Sequence, residues 1–222
     1  MSESGSVLDE ARASLEEGNL ERARDQLRRA VEDDPTDSSA LVDLGYLALG
    51  AGDADEAAAL FRQALERDRG NIDALRALAT IHARGGRGDD AFEAASAVAD
   101  AQPDDPLAAL EVADLALDLG RLDEAENALR HLRTIDDDPA HEVYTVHGLI
   151  EVELRRERWR RALDLAVEAT RVDRLGRTTE VLAFVVAQVF GEEGRDVPTR
   201  ADVEAALARS RAEHRRLHLE AW

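Results

Sequence analysis

Residues 40–69 read ALVDLGYLALGAGDADEAAALFRQALERDR. Apolar residues recur at helical spacing on both sides of a break at Gly52, which describes two amphipathic helices joined by a tight turn. Weaker copies of this stretch run along most of the chain. Gly52 lies 34 residues after Gly18, 34 before Gly86 and 68 before Gly120. Ala57, near the start of the second helix, keeps the same step with Ala23, Ala91 and Ala125. With 14 glycines in 222 residues, four in register mark a true period. A period of this length belongs to a solenoid, in which each unit buries its apolar face only by stacking on its neighbours.

Within the stretch, Leu44 and Gly45 are followed at twelve residues by Ala57, then by Phe61 and Ala64. This resembles the tetratricopeptide repeat, with Leu-Gly, then Ala, then an aromatic, then a closing proline. Leu41 stands where the family has tryptophan, and Arg69 stands where it has the closing proline. The resemblance implies an all-α solenoid of helical hairpins, wound as a right-handed superhelix. Small residues are expected at Gly45, Ala57 and Ala64, where helix backbones approach closely, with Leu44, Leu60, Phe61 and Leu65 filling the spaces between.

The period places five repeats at about 4–37, 38–71, 72–105, 106–139 and 140–174. Asp33-Asp34-Pro35 closes the first, since proline cannot continue a helix. Asp37 or Ser38 can cap the next helix, and Asp53 the one after it. The fifth repeat breaks step. Gly148 suits the small position of its first helix, but Ala162 follows at fourteen residues instead of twelve. The extra length is expected in the turn Arg155–Arg161, with Trp159 packed and the arginines solvated. Residues 175–222 leave the pattern. Val181, Phe184, Val185 and Phe190 belong to a helix apolar on nearly every side, and Thr199 can cap a last helix with Asp202 in its first turn. Two readings stand for this end: a degenerate helix pair capping the array, or a homodimer interface built on Val181–Phe190.

Composition narrows the function. The net charge is −20, and every basic residue apart from histidine is an arginine. Either GC-rich coding or a salt-loving host gives a lysine-free acidic chain, and the charge itself speaks only to solubility and non-specific binding. The acidic excess lies almost wholly in residues 1–140, and nucleic acid is disfavoured as a partner despite the arginines at 155–161 and 209–216. There is no cysteine, so thiol chemistry is excluded. The beginning, MSESGSVLDEARAS, is not a secretory signal, and the longest apolar run is about half the ~20 residues of a membrane span. The expectation is a cytoplasmic protein off the membrane. No catalytic, metal or cofactor constellation rises above background: His214 and His218 are two ligands where a closed site needs more, and Gly85-Gly86-Arg87-Gly88 lacks the strand and lysine of a phosphate loop. No enzyme activity and no cofactor are expected.

The family resemblance implies a protein–protein interaction scaffold whose first helices line a concave groove for a partner peptide or helix. By position, that groove holds Arg12, Tyr46, Arg76, Thr80, Arg84, Asp114, Asp118, Glu142, Thr145 and Glu153, with Val42, Leu49, Leu110 and Leu149 as apolar contacts. The family's chaperone-tail clamp needs asparagines, and the corresponding places hold Leu8, Arg12, Val42 and Tyr46, so that activity is not expected.

Overall fold

A computed structural model describes residues 3–172, 181–182, 184–185 and 199–218. The described chain is helical. It divides into two compact units, residues 1–101 and 102–222. The first holds α1 (Glu3–Glu16), α2 (Leu20–Asp33), α3 (Ser39–Gly50), α4 (Ala54–Arg67), α5 (Ile72–Arg84) and α6 (Gly88–Ala101). The second holds α7 (Pro106–Leu119), α8 (Leu122–Ile135), α9 (Pro139–Arg155), α10 (Trp159–Val172) and α11 (Arg200–His218). Within the first unit each helix packs on the next, and α7 to α10 do the same in the second, where α11 returns onto α9.

Each hairpin is built around a stripe of small and apolar residues on its second helix. Ala23, Leu27 and Ala30 are buried in α2, and Ala57, Phe61 and Ala64 in α4. Ala91, Ala95 and Val98 follow in α6, then Ala125, Leu129 and Leu132 in α8, then Ala162, Ala166 and Ala169 in α10. Steps of four and three residues keep all three on one helical face. The first-helix residue sixteen positions before the middle of each stripe is buried too: Ala11, Gly45, Ala79, Ala113 and Ile150. Its size varies against its partner's. Glycine stands before Phe61, alanine before Leu27, Ala95 and Leu129, and isoleucine before Ala166. A Cβ on Gly45 would lie 2.7 Å from Phe61 Cε1, which explains the glycine there.

The turns inside the hairpins share one geometry. Gly18, Gly52, Gly86 and Gly120 all have positive φ, and the next residue's N–H reaches five residues back, as in Asp53 N to Ala48 O at 2.9 Å. This is the glycine-terminated helix end that satisfies the last carbonyls. In the fifth repeat Glu157 takes that place with φ 57°, and Arg158 N reaches Glu153 O. Glu157 therefore sits 37 residues after Gly120. The added residues are not in the turn, as the spacing suggested, but in α9, which has 17 residues where α7 has 14. Three residues are nearly one helical turn, so the buried face is kept. Gly148 is consequently not the counterpart of Gly45. Its missing Cβ makes room for Leu129 of the preceding hairpin, which a side chain would meet at 2.8 Å. A left-handed residue with a Cβ is strained by about 1–2 kcal/mol. Glu157→Gly is thus expected to raise stability by about 0.5–1 kcal/mol after the entropy of glycine is counted, as read by urea unfolding.

The links between hairpins carry a second periodic signal. Asp34, Asp68 and Asp136 each accept an N–H from two residues on: Thr36, Gly70 and Asp138. Caps follow. Asn19, Asp53, Asn71 and Asp105 accept backbone N–H groups at the starts of α2, α4, α5 and α7. At α3, Asp37 receives Ser39 N at 2.8 Å, while Ser38 makes no side-chain cap. Thr199 and Asp202 exchange bonds as a capping box at α11: Thr199 N donates to Asp202 Oδ2 at 2.8 Å, and Asp202 N donates to Thr199 Oγ1.

Val181, Phe184 and Val185 are buried inside the second unit with Val146, Ile150, Ala162, Ala166, Val203 and Leu207. Trp159 meets Phe184 edge-on at 6.1 Å. These side chains, read above as a possible surface between two copies, are buried in the chain's own core, which also takes in Val203 and Leu207 of α11. Phe190, the last residue of that reading, lies outside the described residues.

Candidate functional site

In the first unit α1, α3 and α5 are the first helices of their hairpins and line up along one side. Arg12 on α1 pairs with Asp43 on α3 at 3.0 Å. Tyr46 on α3 reaches toward α5, its hydroxyl donating to Asp73 O at 3.4 Å. The Tyr46 ring rests edge-on against Phe61 at 5.2 Å and remains 46% exposed. Burial, reinforced by Asp73 and Asp43, pushes the Tyr46 hydroxyl pKa above its ordinary value, so it stays a donor at neutral pH. Thr80 and Arg84 are exposed on α5, Arg76 is half-buried beside them, and Thr80 Oγ1 donates to Arg76 O. This side of the first unit is therefore an aromatic flanked by arginines and a hydroxyl. Leu49 is partly buried against the core, and Val42 belongs to the core itself, so Val42 offers a ligand no surface.

The second unit is different. Of its residues assigned to the groove, Leu110, Asp114, Thr145, Leu149 and Glu153 are all buried. Asp114 receives the Tyr144 hydroxyl at 2.7 Å in the interior. Asp118 pairs with Arg211 of α11 at 2.7 Å. Glu142 is held by Arg133, which also grips Glu168 and so ties α8 to α9 and α10. Thr145 turns its hydroxyl back to His141 O. On α9 the extra three residues shift the positions that an ordinary first helix would present, and on α7 Asp118 is taken up by Arg211 of α11. Sequence reasoning also missed Arg211 and Glu151 as a buried pair, with Nε and Oε2 at 3.2 Å. Arg211 was visible only as one of several arginines in the last helix.

Charge at the hairpin ends is paired. Arg156, from the segment expected to be solvated, bonds Glu126 and Asp123 of α8. The Arg156 hydrogen bond holds the Glu126 carboxyl below its usual range, with burial opposing and Arg130 adding to the pull. Glu151 moves the other way: burial raises its carboxyl, against the attraction of Arg211 and Arg155. The two signs bracket an optimum. Glu126 stabilises the fold above its unfolded pKa, and this contribution is lost as pH falls through its lowered folded value. Glu151 binds its proton more tightly in the fold, so its contribution declines as pH rises from the ordinary carboxylate range through its raised value. Urea midpoints between about pH 3 and 8 should show both limbs. Glu126→Gln is expected to flatten the acid limb and Glu151→Gln the other.

Among the described residues no three His, Asp or Glu side chains are grouped to hold a metal, and no helix is long and apolar enough to cross a membrane. The side chains of His214 and His218 lie outside the described residues.

Hairpins of 34 residues, glycine-ended first helices and an alanine stripe on each second helix define a helical-hairpin repeat protein. The chain belongs to the tetratricopeptide repeat family, whose sequence profiles match residues 8–72, 42–106 and 85–150. Solved structures agree in fold. YrrB, described as a TPR protein with an unusual peptide-binding site, superposes with a TM-score of 0.62 at 20% identity, covering 78% of this chain and 87% of YrrB. A tetratricopeptide repeat protein from Parabacteroides merdae gives 0.60 at 18% identity, covering 98% and 87%. MamA from Desulfovibrio magneticus gives 0.56 at 18%, covering 77% and 95%. Among curated proteins no sequence matches the chain.

Proposed function

We propose that this protein is a non-enzymatic interaction scaffold that receives a partner peptide or helix on the α1–α3–α5 side of its first unit. The observation that carries the reading is Tyr46, a half-exposed aromatic held in place by Phe61 and Asp73, with the Arg76 guanidinium acting on it. An immobilised aromatic with one polar end loses little entropy on binding and commonly anchors interfaces. YrrB, of similar fold, is described as having a peptide-binding site, which adds support for the same use here.

The test is a display screen of random peptides against the full chain, followed by titration of the hits. Tyr46→Ala is expected to weaken them by about tenfold or more, and Arg76→Glu to weaken those that carry acidic residues. Circular dichroism on the same samples checks that the helices persist. Hits that bind Tyr46→Ala as tightly as the parent chain would move the site elsewhere.

A further inference from the structure

The side of the second unit formed by α7 and α9 is already occupied. α11 lies on α9 and is anchored by three residues spaced four apart, Val203, Leu207 and Arg211. Val203 and Leu207 enter the core with Ile150 and Phe184. Arg211, only 8% exposed, crosses to Asp118 of α7 and lies against Glu151 of α9. Three carboxylates act on it: Asp114 and Asp118 on α7, and Glu151 on α9. Arg155 also contacts Glu151, and Arg156 and Arg158 lie 3.7 Å from Glu153.

The hold on Arg211 is incomplete. Its contact with Asp118 is well formed at 2.7 Å, whereas on Glu151 its Nη2 donates to Oε1 only at 3.5 Å, and its Nε lies 3.2 Å from Oε2 without making a hydrogen bond. A buried ion pair of this kind adds little net stability, because the attraction must first offset the desolvation of both groups. The rest of α11 adds few apolar contacts, since most of its described side chains between Arg200 and Ala212 are exposed.

We propose that α11 is a displaceable internal ligand of the α7–α9 side, and that it gives way to a partner helix presenting the same signature: two aliphatic residues and an arginine, each four apart. This rests on the scaffold reading above and extends it to the second unit with a defined partner chemistry. The resting chain would bind such helices weakly, because its own segment competes at high effective concentration.

The probe is a labelled synthetic peptide of residues 199–218, titrated onto the full chain and onto the Arg211→Glu variant, whose own α11 is repelled by the carboxylates. The variant is expected to bind the peptide at least about tenfold more tightly than the parent, and a peptide carrying Arg211→Ala is expected to bind neither. Hydrogen exchange on the unaltered chain supplies a second reading that needs no variant to fold. Amides of α11 should open at least about tenfold more often than those of α9, and excess peptide should speed them further. Equal binding by both chains, binding by neither, or α11 exchanging in step with α9 overturns the proposal. Tyr46→Ala should leave the binding of this peptide unchanged, so failure on the first unit is read separately.

Discussion

Gly45→Ala is expected to cost the first unit about 1–3 kcal/mol, the usual penalty for forcing a methyl into a filled core. The new Cβ would stand 2.7 Å from two atoms of the Phe61 ring, which is fully buried and pinned by Tyr46. Phe61→Leu alone is expected to destabilise as well, because it leaves a void beside Gly45. Combined, the two substitutions recreate the alanine-before-leucine pairing found at Ala11 with Leu27 and at Ala113 with Leu129. The double variant should therefore be more stable than the sum of the singles by at least about 1 kcal/mol, as neighbours sharing one space do. Urea unfolding of all four proteins measures this directly. Strict additivity would show that the pairing of sizes is incidental. Gly52→Ala is the control: its Cβ would meet nothing within 4 Å, so any loss there comes from backbone strain alone.

Tyr144→Phe is the second large effect. The Tyr144 hydroxyl donates to the Asp114 carboxylate at 2.7 Å, and both residues are buried. Removing a donor from a buried charge costs about 1.5–3 kcal/mol. Asp114→Ala should cost a similar amount, because it strands the hydroxyl in the interior. Both losses should appear in stability, with peptide binding by the first unit unchanged. A normal urea midpoint for Tyr144→Phe would mean that other groups hold Asp114 without it.

How far the sequence carries can be judged position by position. Ala57 was legible because a 34-residue period repeats it at Ala23, Ala91 and Ala125, and repetition separates signal from coincidence. The turn at Gly52 was legible because only glycine takes a left-handed residue without strain. The fifth repeat was half legible. Ala162 kept its role, but one spacing cannot tell a longer turn from a longer helix, and Gly148 drew the alignment to the wrong register. The aspartates at 34, 68 and 136 keep the same step, broken only at Gln102, and could have been found by the same test.

By itself the sequence determined the class of fold and the 34-residue step of the hairpins, because each depends on local backbone preference or on composition. Only the tertiary structure decided which sizes pair across a hairpin. Alanine before leucine and glycine before phenylalanine fill similar space, and the pattern of apolar residues does not distinguish them. Only the structure, too, separated the open side of α1, α3 and α5 from the side of α7 and α9 that α11 covers. That difference rests on Arg211 meeting Asp118 and Glu151 across 93 and 60 residues of chain. Pairing at such distances depends on where the packed helices bring the charges, and no local pattern in the sequence records it.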